Sequence, residues 1–218
     1  MAITTEPQQL LQLLAFMSPA FPVGSFAYSH GLEWAIDDGH MKSADDVRDW
    51  IETLLVHGSV WNDAVLFSAS YDASDEVRME IDELALALAA SRERALETSD
   101  IGQSFAKAVA TMSVSEIMNF QTYPVAVAAA CQKAGIDKRA GLLAYLQAFA
   151  NNLIAVAVRL VPLGQTRGLE VMGGLMPVIA ATGERALKAS LDDLGSSTLL
   201  SDISAMRHET QYSRVFRS

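Results

Sequence analysis

The run DKRAGLLAYLQAFANNLIAVAVRLVP, from Asp137 to Pro162, decides how this chain folds. Asp137 opens a long apolar helix and Pro162 closes it. The most hydrophobic stretch, Leu142 to Leu163, is interrupted by Gln147, Asn151, Asn152 and Arg159. Placing those groups in hydrocarbon is costly, so the helix is expected in a protein core and not across a membrane. Upstream, Tyr123-Pro124 opens an alanine-rich helix reaching Gly135. Downstream, a helix from Thr166 to Leu187 is loosened by Gly173-Gly174 and Pro177.

The same period governs the remainder. Glu6-Pro7 followed by Leu10, Leu11, Leu13 and Leu14 predicts a short amphipathic helix ending before Pro19. After the rigid loop Ser18 to Gly24, Ser25 is expected to cap a helix through Ile36 that ends at Asp38-Gly39. Ser43-Ala44-Asp45-Asp46 starts the next helix, on which Trp50, Leu54, His57 and Trp61 share a face expected to be buried. Ser74-Asp75-Glu76 starts another, with Val77, Ile81, Leu84 and Leu88 as its core stripe and Arg78, Glu80 and Asp82 outside it. Ser99-Asp100 is expected to cap a helix towards Thr111. The fold class is all-α: a single-domain helical bundle of roughly ten helices over residues 1–200, then a flexible C-terminal tail over 201–218 beyond the hinge Gly195 to Thr198.

That tail carries Arg207, Arg214 and Arg217 against Glu209, with Tyr212 and Phe216, on a chain whose net charge is −10. A cationic, aromatic end on an acidic body is poorly suited to folding back as core, and Arg and Tyr supply much of the energy of protein interfaces. The tail is therefore expected to be a handle for another polypeptide. The acidic balance argues against nucleic acid or an anionic membrane as partner. Charged residues make up only 19%, which favours apolar surface buried between chains, hence an oligomer. The one cysteine, Cys131, forms no internal disulfide and fits a reducing cytosol, and the first residues show no secretory signal.

Chemistry-bearing patterns are sparse. There is no phosphate-binding G-x-x-x-x-G-K-[ST], and Val23-Gly24-Ser25-Phe26-Ala27 fails the nucleophile-elbow pattern. Four scattered histidines and one thiol promise no metal site, and no cofactor is expected. His30, Glu33 and Ser25 lack the orienting third group that an enzyme would need. The run Ser25 to Trp34 nonetheless stands out. Gly31 within it implies a broken helix or a close backbone neighbour, while Tyr28 and Trp34 suit either an interface or the core.

Ser18 to Glu33, Val158 to Thr166 and Asp202 to Ser218 together resemble the urease accessory protein F (UreF) family, with Ser91 to Glu97 a weaker match in the expected order. The chain departs from the family pattern at Ala27 and Val215, where serine and leucine are frequent. The resemblance implies a dimeric, all-α, cytoplasmic protein without catalysis of its own. It implies binding of UreD (also called UreH), recruitment of the GTPase UreG, and GTP-dependent nickel delivery to apo-urease. Carried over by position, Arg207, His208, Glu209, Tyr212, Arg214, Phe216 and Arg217 form the UreD-binding tail. Ser25, Tyr28, His30, Gly31 and Glu33 are expected on a second surface, facing the GTPase or a second copy.

Overall fold

The protein's structure, a computed structural model, describes residues 6–112 and 120–218. Ten α-helices run through them in chain order. They are α1 (Pro7–Phe16), α2 (Leu32–Asp37), α3 (Ala44–His57), α4 (Ser59–Asp72), α5 (Asp75–Ala87), α6 (Arg92–Thr111), α7 (Tyr123–Lys133), α8 (Lys138–Leu160), α9 (Gly164–Ala186) and α10 (Leu199–His208). No strand occurs among the described residues. The all-α expectation is met.

The core forms around α7, whose residues Val125 to Cys131 are wholly buried. Four alanines there keep the helix thin, so α4 and α6 approach it closely from two sides. Helix α8 lies across this layer, and α9 returns along it to pack on α3. Asp137 caps α8 by accepting the Ala140 amide at 2.9 Å. Of the described helices, α8 is long and apolar enough to cross a membrane by length and composition, yet Leu142, Leu146 and Leu153 on it lie in the core.

Several local expectations are corrected. Gly58, in extended conformation, separates α3 from α4, so the supposed continuous face divides: Leu54 and Trp61 are buried, Trp50 half-buried and His57 exposed. Helix α6 is capped by Ser91 at the Arg94 amide, leaving Ser99 and Asp100 in its interior. On α5 the expected faces are kept only in part: Ile81 is buried, Leu84 half-buried and Glu80 exposed as expected, but Val77 and Leu88 are exposed, while Arg78 and Asp82 are buried. The cause is main-chain polarity. Arg78 donates to the carbonyls of Ser70 (2.7 Å) and Tyr71 (3.2 Å), closing the C-terminal end of α4. Asp82 accepts the amides of Gln121 and Thr122 at 2.8 Å, capping α7 where Thr122 makes no side-chain cap.

The C-terminal segment brings the largest correction. The boundary expected after residue 200 falls inside α10, and the segment that follows is not a free tail. His208, Phe216 and Ser218 are buried against the body of the same subunit.

Candidate functional site

The stretch Ser25 to Asp37 is where that segment lands. A continuous helix does not form there. Ser25–Ala27 makes one 3-10 turn, Tyr28 is extended, and His30 and Gly31 both take left-handed conformations, with φ of 59° and 78°. Two successive left-handed residues stop the helical ladder, and α2 restarts at Leu32. Gly31 is required for a second reason: a Cβ there would sit 2.8 Å from the Ala205 backbone nitrogen. Gly31→Ala is thus expected to cost about 2–4 kcal/mol, combining the left-handed penalty with displacement of α10. Urea unfolding measures it, and a loss below about 1 kcal/mol would show that α10 is free to move aside.

The broken helix turns its backbone and acids towards the C-terminal segment. The Arg217 amide donates to the Ala27 carbonyl and the Ser29 amide to the Ser218 carbonyl, each at 2.8 Å. The Ser29 hydroxyl donates to that same Ser218 oxygen and also accepts the Glu33 amide at 3.2 Å. Glu33, only 5% exposed, accepts the amides of Val215 (2.6 Å) and Phe216 (2.8 Å). One ring nitrogen of His208 faces Glu33 at 3.1 Å and the other faces Glu93 at 2.6 Å. Arg214 donates to Glu93 at 2.6 Å. The Phe216 ring is buried beneath the Arg159 guanidinium, 4.9 Å away. Glu209 caps α6 by accepting the Arg92 amide at 2.9 Å.

Behind this dock lies a buried polar cluster. Burial, aided by the nearby Arg94 charge, lowers His30 to about 4, although Glu97 opposes it. The His30 ring meets Ser59 Oγ at 2.7 Å. For Glu97, burial alone would raise the carboxyl, but the adjoining Arg94 guanidinium overrides it and holds the group ionised. Asp63 is raised to about 6 by burial, against the pull of Arg94 and the Tyr145 hydroxyl. Asp63 and Arg94 stand between two cavities of 160 and 260 Å³.

These values fix a stability profile. Asp63 binds its proton more tightly folded than unfolded, so stability falls as pH rises from its ordinary value of 3.8 through about 6. Above that the penalty is complete. Asp63→Asn is therefore expected to stabilise the protein by about 2 kcal/mol at pH 8, after allowing for cavity water, and by only about a third of that at pH 4.5. Paired urea unfolding at the two pH values checks this; equal effects at both would show that Asp63 ionises without cost.

The expected second surface is thus corrected: Tyr28, His30, Gly31 and Glu33 are buried, and only Ser25 is half-exposed, at the mouth of the larger cavity. The expected tail residues divide by direction. His208 and Phe216 point inwards, whereas Arg207, Tyr212, Arg214 and Arg217 are exposed, with Arg214 tied at its tip to Glu93. Sequence reasoning missed the outer face of α10. Its buried positions are small or polar (Ser201, Ser204, Ala205, His208), while Leu199, Leu200, Ile203 and Met206 face outwards. Large apolar groups outside and small ones inside reverse the pattern of an ordinary surface helix. The spacing of Leu199, Ile203 and Met206 against the serines was the available signal.

Among the described residues no group of three or more His, Cys, Asp and Glu is placed to hold a metal. Cys131 is fully buried, its thiol pushed up to about 12 by that burial.

Comparison with known proteins adds to this geometry. The family model described as UreF matches residues 41–176. A protein of Roseobacter denitrificans named urease accessory protein UreF is 47% identical over 216 residues, covering 99% of this chain and 97% of that one. Its namesake in Mesorhizobium japonicum is 45% identical over 224 residues, covering 99% of this chain and 100% of the relative. A third, from Rhizobium etli, is 45% identical over 218 residues, covering 98% of each.

Proposed function

The chain belongs to the UreF family of urease accessory proteins, and we propose that it serves urease maturation as a non-catalytic cytoplasmic scaffold. In this reading it binds UreD (UreH), recruits the GTPase UreG, and meets apo-urease for GTP-dependent nickel insertion, possessing no metal or cofactor site of its own. The observation that carries the reading is the reversed α10. Leu199, Leu200, Ile203 and Met206 are exposed together with Arg207 on its outer side, and Tyr212, four residues beyond the helix, is fully exposed.

An apolar centre with an arginine at its margin, followed along the chain by an exposed tyrosine, has the composition of an interface hot spot. UreD is the partner assigned to this face. The tail contributes its outward side chains, Arg207, Tyr212 and Arg217, and His208, Glu209, Arg214 and Phe216 hold the segment in place beneath them. Tyr28, His30, Gly31 and Glu33 act from below the surface by shaping the dock. Homodimerisation is supported by the low charge content and by the exposed Leu169 and Met176 on α9.

Co-expression tests the reading directly. The full chain and UreD are expected to co-purify as a soluble complex that then retains UreG. Two soluble proteins that elute apart, with UreG captured by neither, would sink the scaffold.

A further inference from the structure

The contacts that hold residues 214–218 are those of a receptor with a peptide, more than those of a helix with a core. Three successive amides, of Val215, Phe216 and Arg217, are each taken by a group of the body: Glu33 twice and the Ala27 carbonyl once. The Ser218 carbonyl and hydroxyl are matched by Ser29 and Glu97. One aromatic anchor, Phe216, is buried, and Arg214 pairs with Glu93. Main-chain bonds in register, one pocketed ring and one charge pair are how extended peptides are recognised. Between α10 and this anchor Thr210, Tyr212 and Ser213 are exposed, so the route between them can change without unburying apolar surface.

We infer that the cleft formed by Ala27, Ser29, Glu33, Glu93, Glu97 and Arg159 is a peptide-binding site. Its ligand is the 214–218 segment, accepted from a second copy of the chain as well as from its own. The contacts of Val215 to Ser218 with the body are made without the link through 209–213, which is tied to the body separately, by Glu209 at the Arg92 amide. Exchange of the segment between copies follows from that independence, because the native occupant and a neighbour's are chemically the same.

The test uses the full chain with its own segment weakened by Phe216→Asp, and a fluorescent peptide of residues 209–218. The variant is expected to bind the peptide with a dissociation constant below about 100 µM. The unaltered chain binds at least tenfold more weakly, since its tethered segment competes at millimolar effective concentration. Adding Glu33→Gln to the variant, or Phe216→Ala to the peptide, is expected to weaken binding at least tenfold. A helical variant that ignores the peptide, or equal binding to both chains, overturns the proposal.

A second measurement needs no folded variant. A photo-crosslinking residue replacing Tyr212 in the peptide, at millimolar concentration, is expected to label Ile36, Asp37 or Leu160 of the unaltered chain, the residues around Tyr212 in the structure. Absence of label there also overturns it.

Discussion

Ile203→Asp is expected to abolish co-purification with UreD, a loss of at least about 100-fold in affinity, while leaving the thermal midpoint within about 2 °C. The two halves of that expectation have separate causes. In the isolated subunit Ile203 is 37% exposed, and its helix is held by Ser201, Ser204, Ala205 and His208 on the opposite side, so an aspartate meets water and costs little. In a complex it would lie at the centre of Leu199, Leu200 and Met206, where an unpaired carboxylate must be desolvated. That penalty is several kcal/mol, and about 2.7 kcal/mol already corresponds to 100-fold. Surface plasmon resonance with calorimetry on the same sample checks both halves. Unchanged affinity would place the UreD contact elsewhere; a large fall in the midpoint would mean that Ile203 supports the fold.

How much of this was legible in the sequence can be seen residue by residue. The α7–α8 core was readable, because Tyr123-Pro124, Asp137 and Pro162 mark helix ends by local chemistry and the apolar run between them has nowhere to go but inside. The face of α5 was not. Arg78 and Asp82 are buried by carbonyls and amides at the ends of neighbouring helices, and main-chain groups leave no mark on composition. Gly31 was rightly suspected, although both explanations offered for it turned out to hold together: a broken helix and a close backbone neighbour. The docking of the tail on its own subunit escaped notice for the same reason as α5. Its residue types announced a partner, but what docks it is three consecutive amides against Glu33 and Ala27, which any sequence could have supplied. Glu33 itself lies in the first turn of α2, where a carboxylate is favourable, and from there it accepts those donors.

Glu33 is accordingly the residue whose loss should weaken the fold most at this end. Glu33→Ala leaves the amides of Val215 and Phe216 and one ring nitrogen of His208 without an acceptor, and two of those three groups lie in buried residues. Stranding a buried donor costs about 1–3 kcal/mol. With relaxation of the segment, a total of about 4 kcal/mol is expected, a large share of the stability of an ordinary domain. Because the damage is concentrated beyond α10, it should appear first as local opening. Limited proteolysis is expected to cut the variant within residues 209–217 at least tenfold faster than the parent chain, before global unfolding is detectable. Glu33→Gln retains one acceptor oxygen and should fall between the two. Binding to UreD should weaken in the same order even though Glu33 lies beneath the proposed interface, since a loosened anchor makes ordering of the outer face part of the cost of association. If Glu33→Ala unfolds within about 1 kcal/mol of the parent and resists the protease equally, the carboxylate does not hold the segment, and the outer face of α10 owes its order to other contacts.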